Sequence, residues 1–327
     1  MKTGLILCSR MVIPSLFPFM VISELIVKSG LGNIIGNILG YPIEKVFGIS
    51  RSSSCAVLMG ILCGFPIGAK TIVSLLDNQE IDEKEASQLL TFCNNPSSGF
   101  IISAIGVSLY SNKKIGIILY IITIVNAILI GIIQNYLSPP NHAAHNHKSK
   151  KLLPITSIFT TAVINSSYGI IYVCGYVVFF SAIIGCLSRM LSPLKLSDIT
   201  LSLIYGFLEL SGGVSLSANL GITTLGLCLT AFIIGWSGLS VHFQVISVCS
   251  KYNILFKNYF IAKFFHAIMN SVSIFILFKS FPSIFKSSIE STVSLHVTNN
   301  KYIIFIFVLF VFSIFHSKKT NKNCHIL

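Results

Sequence analysis

Two carboxylates lie where a membrane rarely tolerates them. Eight of the ten acidic residues in this 327-residue chain fall in loops or near the ends of apolar runs, whereas Glu24 and Glu209 sit deep inside such runs. A charged side chain at the centre of a bilayer costs at least about 2.5 kcal/mol on insertion scales, so it faces a cavity, is protonated, or has a partner. A carboxylate that gains and loses a proton at that depth is suited to coupling solute movement to protons. For Glu24 the local alternative is an ion pair with Lys28 at i+4. For Glu209 no basic residue lies within a helical turn.

The stretch Asn94-Asn95-Pro96-Ser97-Ser98-Gly99 is the second chemical signal. Inside a helix, Pro96 removes a backbone donor and Gly99 loosens the following turn. The opened amides and carbonyls can then face a ligand, with Asn94, Asn95, Ser97 and Ser98 adding directional hydrogen bonds. A half-helix starting near Ser98 would aim its positive end at an anion. The competing reading is a proline-kinked loop at the membrane surface.

The third signal is Gly64-Phe65-Pro66-Ile67-Gly68-Ala69-Lys70, where small residues permit close approach and Lys70 supplies a positive charge. A lysine that snorkels to the interface accounts for Lys70 equally well. In the second half, Ser211, Gly212 and Gly213 occupy the corresponding tip, and Trp236-Ser237-Gly238 form a second break. His242 and Gln244 follow in an apolar run, His242 being read chiefly as structural. The candidate substrate contacts are thus Asn94, Asn95, Ser97, Ser98, Gly99, Lys70, Ser211, Gly212 and Ser237. Glu24 and Glu209 are the candidate coupling groups, and Gly64, Pro66, Gly68, Pro96, Gly213 and Gly238 the hinges.

The elements that must position these residues are set by composition. Apolar residues make up 53% of the chain and charged residues 10%, against roughly 25% charged in an ordinary soluble domain. Too few charges remain to cover a soluble surface, so the bilayer is the solvent for most of the chain. Its apolar runs are long and do not alternate, which selects helices over a barrel. The fold class expected is therefore an all-α polytopic membrane protein. Segments near 31–48 and 55–76 are too short, too polar or too broken to be simple spans; 55–76, interrupted by Gly60, Gly64, Pro66 and Gly68, suits a re-entrant hairpin.

Two related halves are expected. Residues 1–137 form the first membrane repeat, with a hairpin at 55–76, an amphipathic surface helix at 77–90 and a broken helix at 91–110. Asp82 is its N-cap, with Glu85 as capping-box partner. A polar basic linker, 138–156, reads as cytoplasmic. Residues 157–281 form the second repeat, and 282–327 hold a further linker, a Phe-rich C-terminal anchor and a basic tail. A span, a glycine-rich hairpin and a small-residue break recur in that order in both halves, and such duplication points to a transporter site.

The net charge of +13 comes from short basic clusters between apolar runs, as the positive-inside rule produces, and not from a nucleic-acid surface. The cysteines form no C-x-x-C pair, and the histidines of the linker suit a solvated basic loop; no metal and no cofactor are expected. No nucleophile with its base, phosphate loop or zinc spacing is present, so the chain does not read as an enzyme. The sequence leaves a homo-oligomer open.

Pro14-Ser15-Leu16-Phe17-Pro18-Phe19 with Ser23-Glu24-Leu25, the G-x-P-x-G-A-K run ending at Lys70, Phe92 to Phe100, and Glu209-Leu210-Ser211-Gly212-Gly213 together resemble the YlbJ-type sporulation integral membrane proteins. The resemblance runs from about Pro14 to Leu277. It implies kinship with the nucleoside-recognition, or Gate, domain proteins and a plan similar to the concentrative nucleoside transporters, with re-entrant hairpins and broken helices around a midplane site. It also implies a role in sporulation: dipicolinate moved across the outer forespore membrane from the mother cell. The Pro14 motif starts only about a dozen residues in, so the resemblance implies a further N-terminal span that this sequence is expected to lack, and the Phe-rich run lies outside the matched region. Dipicolinate is a planar dianion, and Asn95, Ser97, Ser98, Ser211 and Lys70 offer it donors and charge. A nucleoside-like metabolite carrier is the alternative within the same class, and a non-transporting scaffold for spore maturation the alternative outside it.

Overall fold

Backbone groups in lipid have no water to bond, so each apolar run must satisfy its own amides and carbonyls. The computed structural model describes residues 2–29, 31–137 and 154–289, and among these it contains helices and no strand. Most of the basic linker and the whole Phe-rich C-terminal run lie outside the described residues. The chain is an all-α polytopic membrane protein. Among the described residues, four helices are long and apolar enough to cross a membrane, or five if one bent pair counts as a span.

Helix α1 (Lys2–Leu7) continues through a π-helical turn, Cys8–Val12, into α2 (Ile13–Lys28). Next come α3 (Leu31–Phe47), α4 (Ser54–Leu62), α5 (Ile67–Asp77) and α6 (Glu83–Phe92). A π-helix, Gly99–Leu109, leads to α7 (Lys113–Leu137). The second half holds α8 (Ile155–Leu191), α9 (Asp198–Leu208), α10 (Leu210–Ala218), α11 (Thr224–Trp236), α12 (Gly238–Cys249), α13 (Phe256–Ser280) and α14 (Pro282–Ile289). Along α7 the exposed residues Ile117, Ile121, Val125, Leu129 and Ile133 recur every fourth position. A helix lays that spacing on one face, and an apolar stripe of that length belongs against lipid.

Polar contacts sort the loops onto two faces. On the first, Glu85 accepts from the Ser50 N–H at 2.7 Å and the Ser53 hydroxyl at 2.6 Å, and Gln88 donates to the Phe47 carbonyl. Asp77 accepts from Tyr252 at 2.6 Å, and Glu83 from the Asn253 N–H at 3.0 Å. The end of α7 joins them, with Asn135 donating to the Val46 carbonyl. On the second face, the Tyr110 hydroxyl meets the Gly226 carbonyl near the start of α11 and Thr230 one turn further on.

These contacts fix the direction of every element between them. The α4–α5 pair enters from the first face and turns back: its arms of nine and eleven residues reach about 14–17 Å, near half of a roughly 30 Å core. Helix α6 and the π-helix cross to the second face, and α7 returns. Helix α8 runs antiparallel to α2, as Glu24 opposite Asn165 and Gly4 opposite Ser181 show. Helices α9 and α10 enter from the second face and fold back, with Ser202 donating to the Gly213 carbonyl at 3.0 Å. Then α11 and α12 cross toward the first face as one broken span of 26 residues. Helix α13 starts from the first face, where Asn253 meets Glu83, and packs on α7, where His266 meets the Thr123 carbonyl and Asn126 meets Asn270. The second half thus also holds a hairpin pair followed by a broken span, entered from the face opposite to that of the first.

The expected surface helix at 77–90 is placed differently. Residues 78–82 form a turn, and α6 is buried from Glu85 through most of its length. Asp82 does cap it, accepting the Glu85 N–H at 2.7 Å. The Glu85 carboxylate does not reach back to Asp82; it is drawn instead to the amide and hydroxyl of the Ser50–Ser53 turn.

Candidate functional site

The breaks in the two halves meet the chain in matching ways. In the first, Gly64 follows the end of α4 with a φ of +72°, a left-handed conformation that favours glycine, and a Cβ there would overlap the Ser97 nitrogen. The next residue, Phe65, donates its N–H to the Asn95 carbonyl at 2.7 Å. The hairpin tip is thereby sewn to the unwound segment between α6 and the π-helix. Gly60 and Gly68 flank the Cys93 carbonyl so closely that either Cβ would overlap it.

In the second half, the hairpin tip is Glu209, whose extended backbone separates α9 from α10. Its carboxylate caps α10, accepting the N–H of Ser211 at 2.9 Å and of Gly212 at 2.7 Å. The break between α11 and α12 falls at Ser237 and Gly238, with φ of +74° and +81°. A Cβ on Gly238 would come within 2.9 Å of the Leu210 nitrogen and 3.1 Å of the Glu209 Cα. Gly213 packs more closely still on Gly206 in the other arm, where a Cβ would overlap its backbone.

A chain of buried polar groups runs behind the first break. Lys263 of α13 donates its ammonium to the Asn94 carbonyl at 2.8 Å. The Asn94 amide donates to the Tyr259 hydroxyl at 3.1 Å, and that hydroxyl lies 2.8 Å from His242 Nδ1. Lys263, Tyr259, Asn94 and Asn95 are wholly buried, and His242 almost so. The Asn94 Oδ1, Asn95 Oδ1, His242 Nε2 and Gln244 Oε1 atoms are buried without a hydrogen-bond partner. Such orphans are few in stable interiors and call for water, an ion or a ligand.

Beside these breaks, α2, α5, α8 and α12 enclose a cleft of about 620 Å³. Pro66, Lys70 and Gln244 line it toward the hairpin tip, and Lys28, Asp77 and Ser250 line it toward the first face. The Lys70 amine rests against Gly169 of α8, where a Cβ would overlap it. Tyr168, Tyr172 and Tyr176 line the same wall one helical turn apart. Glu24 is also here, held by the Asn165 amide at 3.3 Å and Lys28 at 3.8 Å. Its i+4 pairing with Lys28 is therefore real, but both side chains stay partly open to the cleft.

The residues singled out by type and spacing fall into three groups. Glu24, Lys70 and Pro66 share the cleft. Asn94, Asn95, Pro96, Ser97 and Gly64 meet at the first crossing, with Ser98 donating to the Leu62 carbonyl at 3.4 Å and Gly99 opening the π-helix. Glu209, Ser211, Gly212, Ser237 and Gly238 meet at the second. Ser97 is turned to its own chain, its hydroxyl accepting the Phe100 N–H. Lys263, Tyr259, Asn165 and the three tyrosines of α8 escaped sequence reasoning. A base eight residues into the apolar run that starts at Phe256 was the available signal for Lys263. Among the described residues, no three His, Cys, Asp or Glu side chains gather as a metal would require.

The chain is 26% identical over 316 residues to the sporulation integral membrane protein YlbJ of Bacillus subtilis (strain 168), a match covering 85% of this chain and 76% of that protein. No family model and no solved structure matches it. A similarity spread along most of both chains, over an all-helical frame with several membrane spans, supports the assignment of this chain as a YlbJ-type integral membrane protein.

Proposed function

We propose that this protein is a carrier, not an enzyme, that moves a small planar anion across a membrane during sporulation, with dipicolinate as the solute. The sporulation role follows from the relative's name; the solute reading rests on the cleft. Its single strongest support is the pairing of the Lys70 amine with a ladder of three tyrosines on one wall of a 620 Å³ space that runs to a hairpin tip. An aromatic dianion needs fixed positive charge and flat faces to stack on. Lys28 and Asn165, which hold Glu24, and Gln244 line the same space. The outer forespore membrane, with uptake from the mother cell, is the setting in which a dipicolinate carrier would act.

The amide pair also favours a second reading, a nucleoside-like solute, because Asn165 and Gln244 can bond a nucleobase edge without charge. Uptake of labelled dipicolinate into proteoliposomes of the purified protein separates these. Saturable uptake that Lys70→Gln weakens supports the anion reading. Uptake of uridine in its place, competing with dipicolinate poorly, supports the nucleoside reading. Folded protein that carries neither solute leaves the scaffold role, for which spores of a Lys70→Gln strain would be normal.

A further inference from the structure

Three carbonyls that α6 leaves outside its helical ladder have each found a different donor. The Phe92 carbonyl accepts the Asn95 side chain at 2.7 Å, the Asn95 carbonyl accepts the Phe65 N–H at 2.7 Å, and the Asn94 carbonyl accepts the Lys263 ammonium at 2.8 Å. Only the last donor carries charge. Lys263 has no exposed surface, and among the described residues no carboxylate pairs with it.

An ammonium withdrawn from water and unpaired is costly, so partial charges must hold it. Two are at hand: the Asn94 carbonyl itself, and the negative end of the α6 dipole just before it. A third oxygen, Asn94 Oδ1, is buried with no donor of its own on the same residue. The groups near the amine are Tyr259 one turn earlier on α13, His266 one turn later, and His242. None is a carboxylate. An oxygen-bearing pocket at the open C-terminal end of a helix, closed to water, is what a monovalent cation binds.

We propose that Lys263 is that cation: a tethered ammonium that fills a monovalent-cation site at the α6 break, so that the break is held without bound sodium or potassium. The proposal concerns the broken helix and holds whatever solute the cleft takes.

Thermal unfolding of the detergent-solubilised full chain tests it. Wild type should melt at the same temperature when sodium or potassium chloride is replaced by choline chloride at equal ionic strength. Lys263→Ala deletes three carbons and the amine, so it should melt lower in choline and recover at least half of that loss, saturably, in n-propylammonium chloride. Lys263→Met, which fills the same space with a neutral chain, should melt lower and show no recovery. A saturable rise of the wild-type melting temperature with sodium or potassium would overturn the proposal. So would a Lys263→Ala protein that melts identically in choline, sodium and n-propylammonium, or one that folds in none of them, because an emptied cation site must be refillable.

Discussion

The N–H of Phe65 and the carbonyl of Asn95 lie 2.7 Å apart, joining the tip of one hairpin to the unwound middle of a neighbouring span. That bond is made between two segments which have each left helical geometry, so each supplies what the other lacks. The second half repeats the relationship by contact, with Gly238 against the backbone of Glu209 and Leu210. Two broken spans entering from opposite faces are thus pinned by two hairpin tips near mid-depth. The cleft meets the first of these pins at Pro66.

The pin itself predicts an asymmetry among glycines. Gly64 and Gly221 have nearly equal φ, +72° and +70°, but a Cβ at Gly64 overlaps Ser97 whereas Gly221 has nothing within 4 Å. Gly221→Ala should lose only the left-handed strain, about 1 kcal/mol. Gly64→Ala must also push the unwound segment away, for a total on the order of 3 kcal/mol. Denaturant titration of both variants reads the difference directly; equal losses would mean that the close approach carries no energy.

Glu209 should behave as a cap. Both of its oxygens are occupied by the amides of Ser211 and Gly212. Glu209→Ala removes both acceptors and should cost about 1–2 kcal/mol. Glu209→Gln keeps one oxygen and turns an NH2 group toward the other amide, so it should fall between Ala and wild type. An Ala variant as stable as wild type in thermal unfolding would show that the cap bonds are worth nothing.

Glu24 should behave otherwise. It is held only by Lys28 at 3.8 Å and Asn165 at 3.3 Å, with a fifth of its side chain exposed. A partly solvated pair of this length contributes about 0–1 kcal/mol, so Glu24→Gln should leave the melting temperature nearly unchanged. If proton movement is coupled through this carboxylate, the same variant flattens the pH dependence of uptake in proteoliposomes. Unchanged pH profiles in both Glu24→Gln and Glu209→Gln would remove carboxylate coupling from the mechanism.

These residues also show what the sequence makes legible. That Glu24 and Glu209 lie in apolar runs is visible from composition alone, and so are the glycines and prolines that interrupt them. The partner of Glu209 is not visible, because backbone amides leave no mark in a sequence; the lack of a nearby base pointed to a proton, and the cap was missed. Lys263 was overlooked for a different reason. Bases in apolar runs are commonly read as snorkelling from an interface, but seven residues at 1.5 Å put Lys263 about 10 Å along α13 from Phe256, beyond easy reach of water. The opposed sense of the halves depends on which short segments turn back, and hydropathy does not distinguish a hairpin arm from half of a broken span.

Gly169 separates the anion site from the fold. A Cβ there would overlap the Lys70 Nζ and the Met20 Cε, both ends of flexible side chains that can swing aside, and no backbone. Ala also favours the middle of a helix over Gly by about 0.8–1 kcal/mol. Gly169→Ala should therefore be as stable as wild type or slightly more so. The displaced Lys70 amine would no longer face the tyrosine ladder, and loss of one charge-assisted contact of about 1.4 kcal/mol corresponds to roughly tenfold weaker dipicolinate binding. Lys70→Gln should weaken it to a similar degree, and the double variant no further, because both changes remove the same contact. Uptake titrations on the three proteins, with their melting curves, test this. Additive losses would place Lys70 and Gly169 in separate roles, and unaltered affinity in all three would exclude the cleft wall as the anion site.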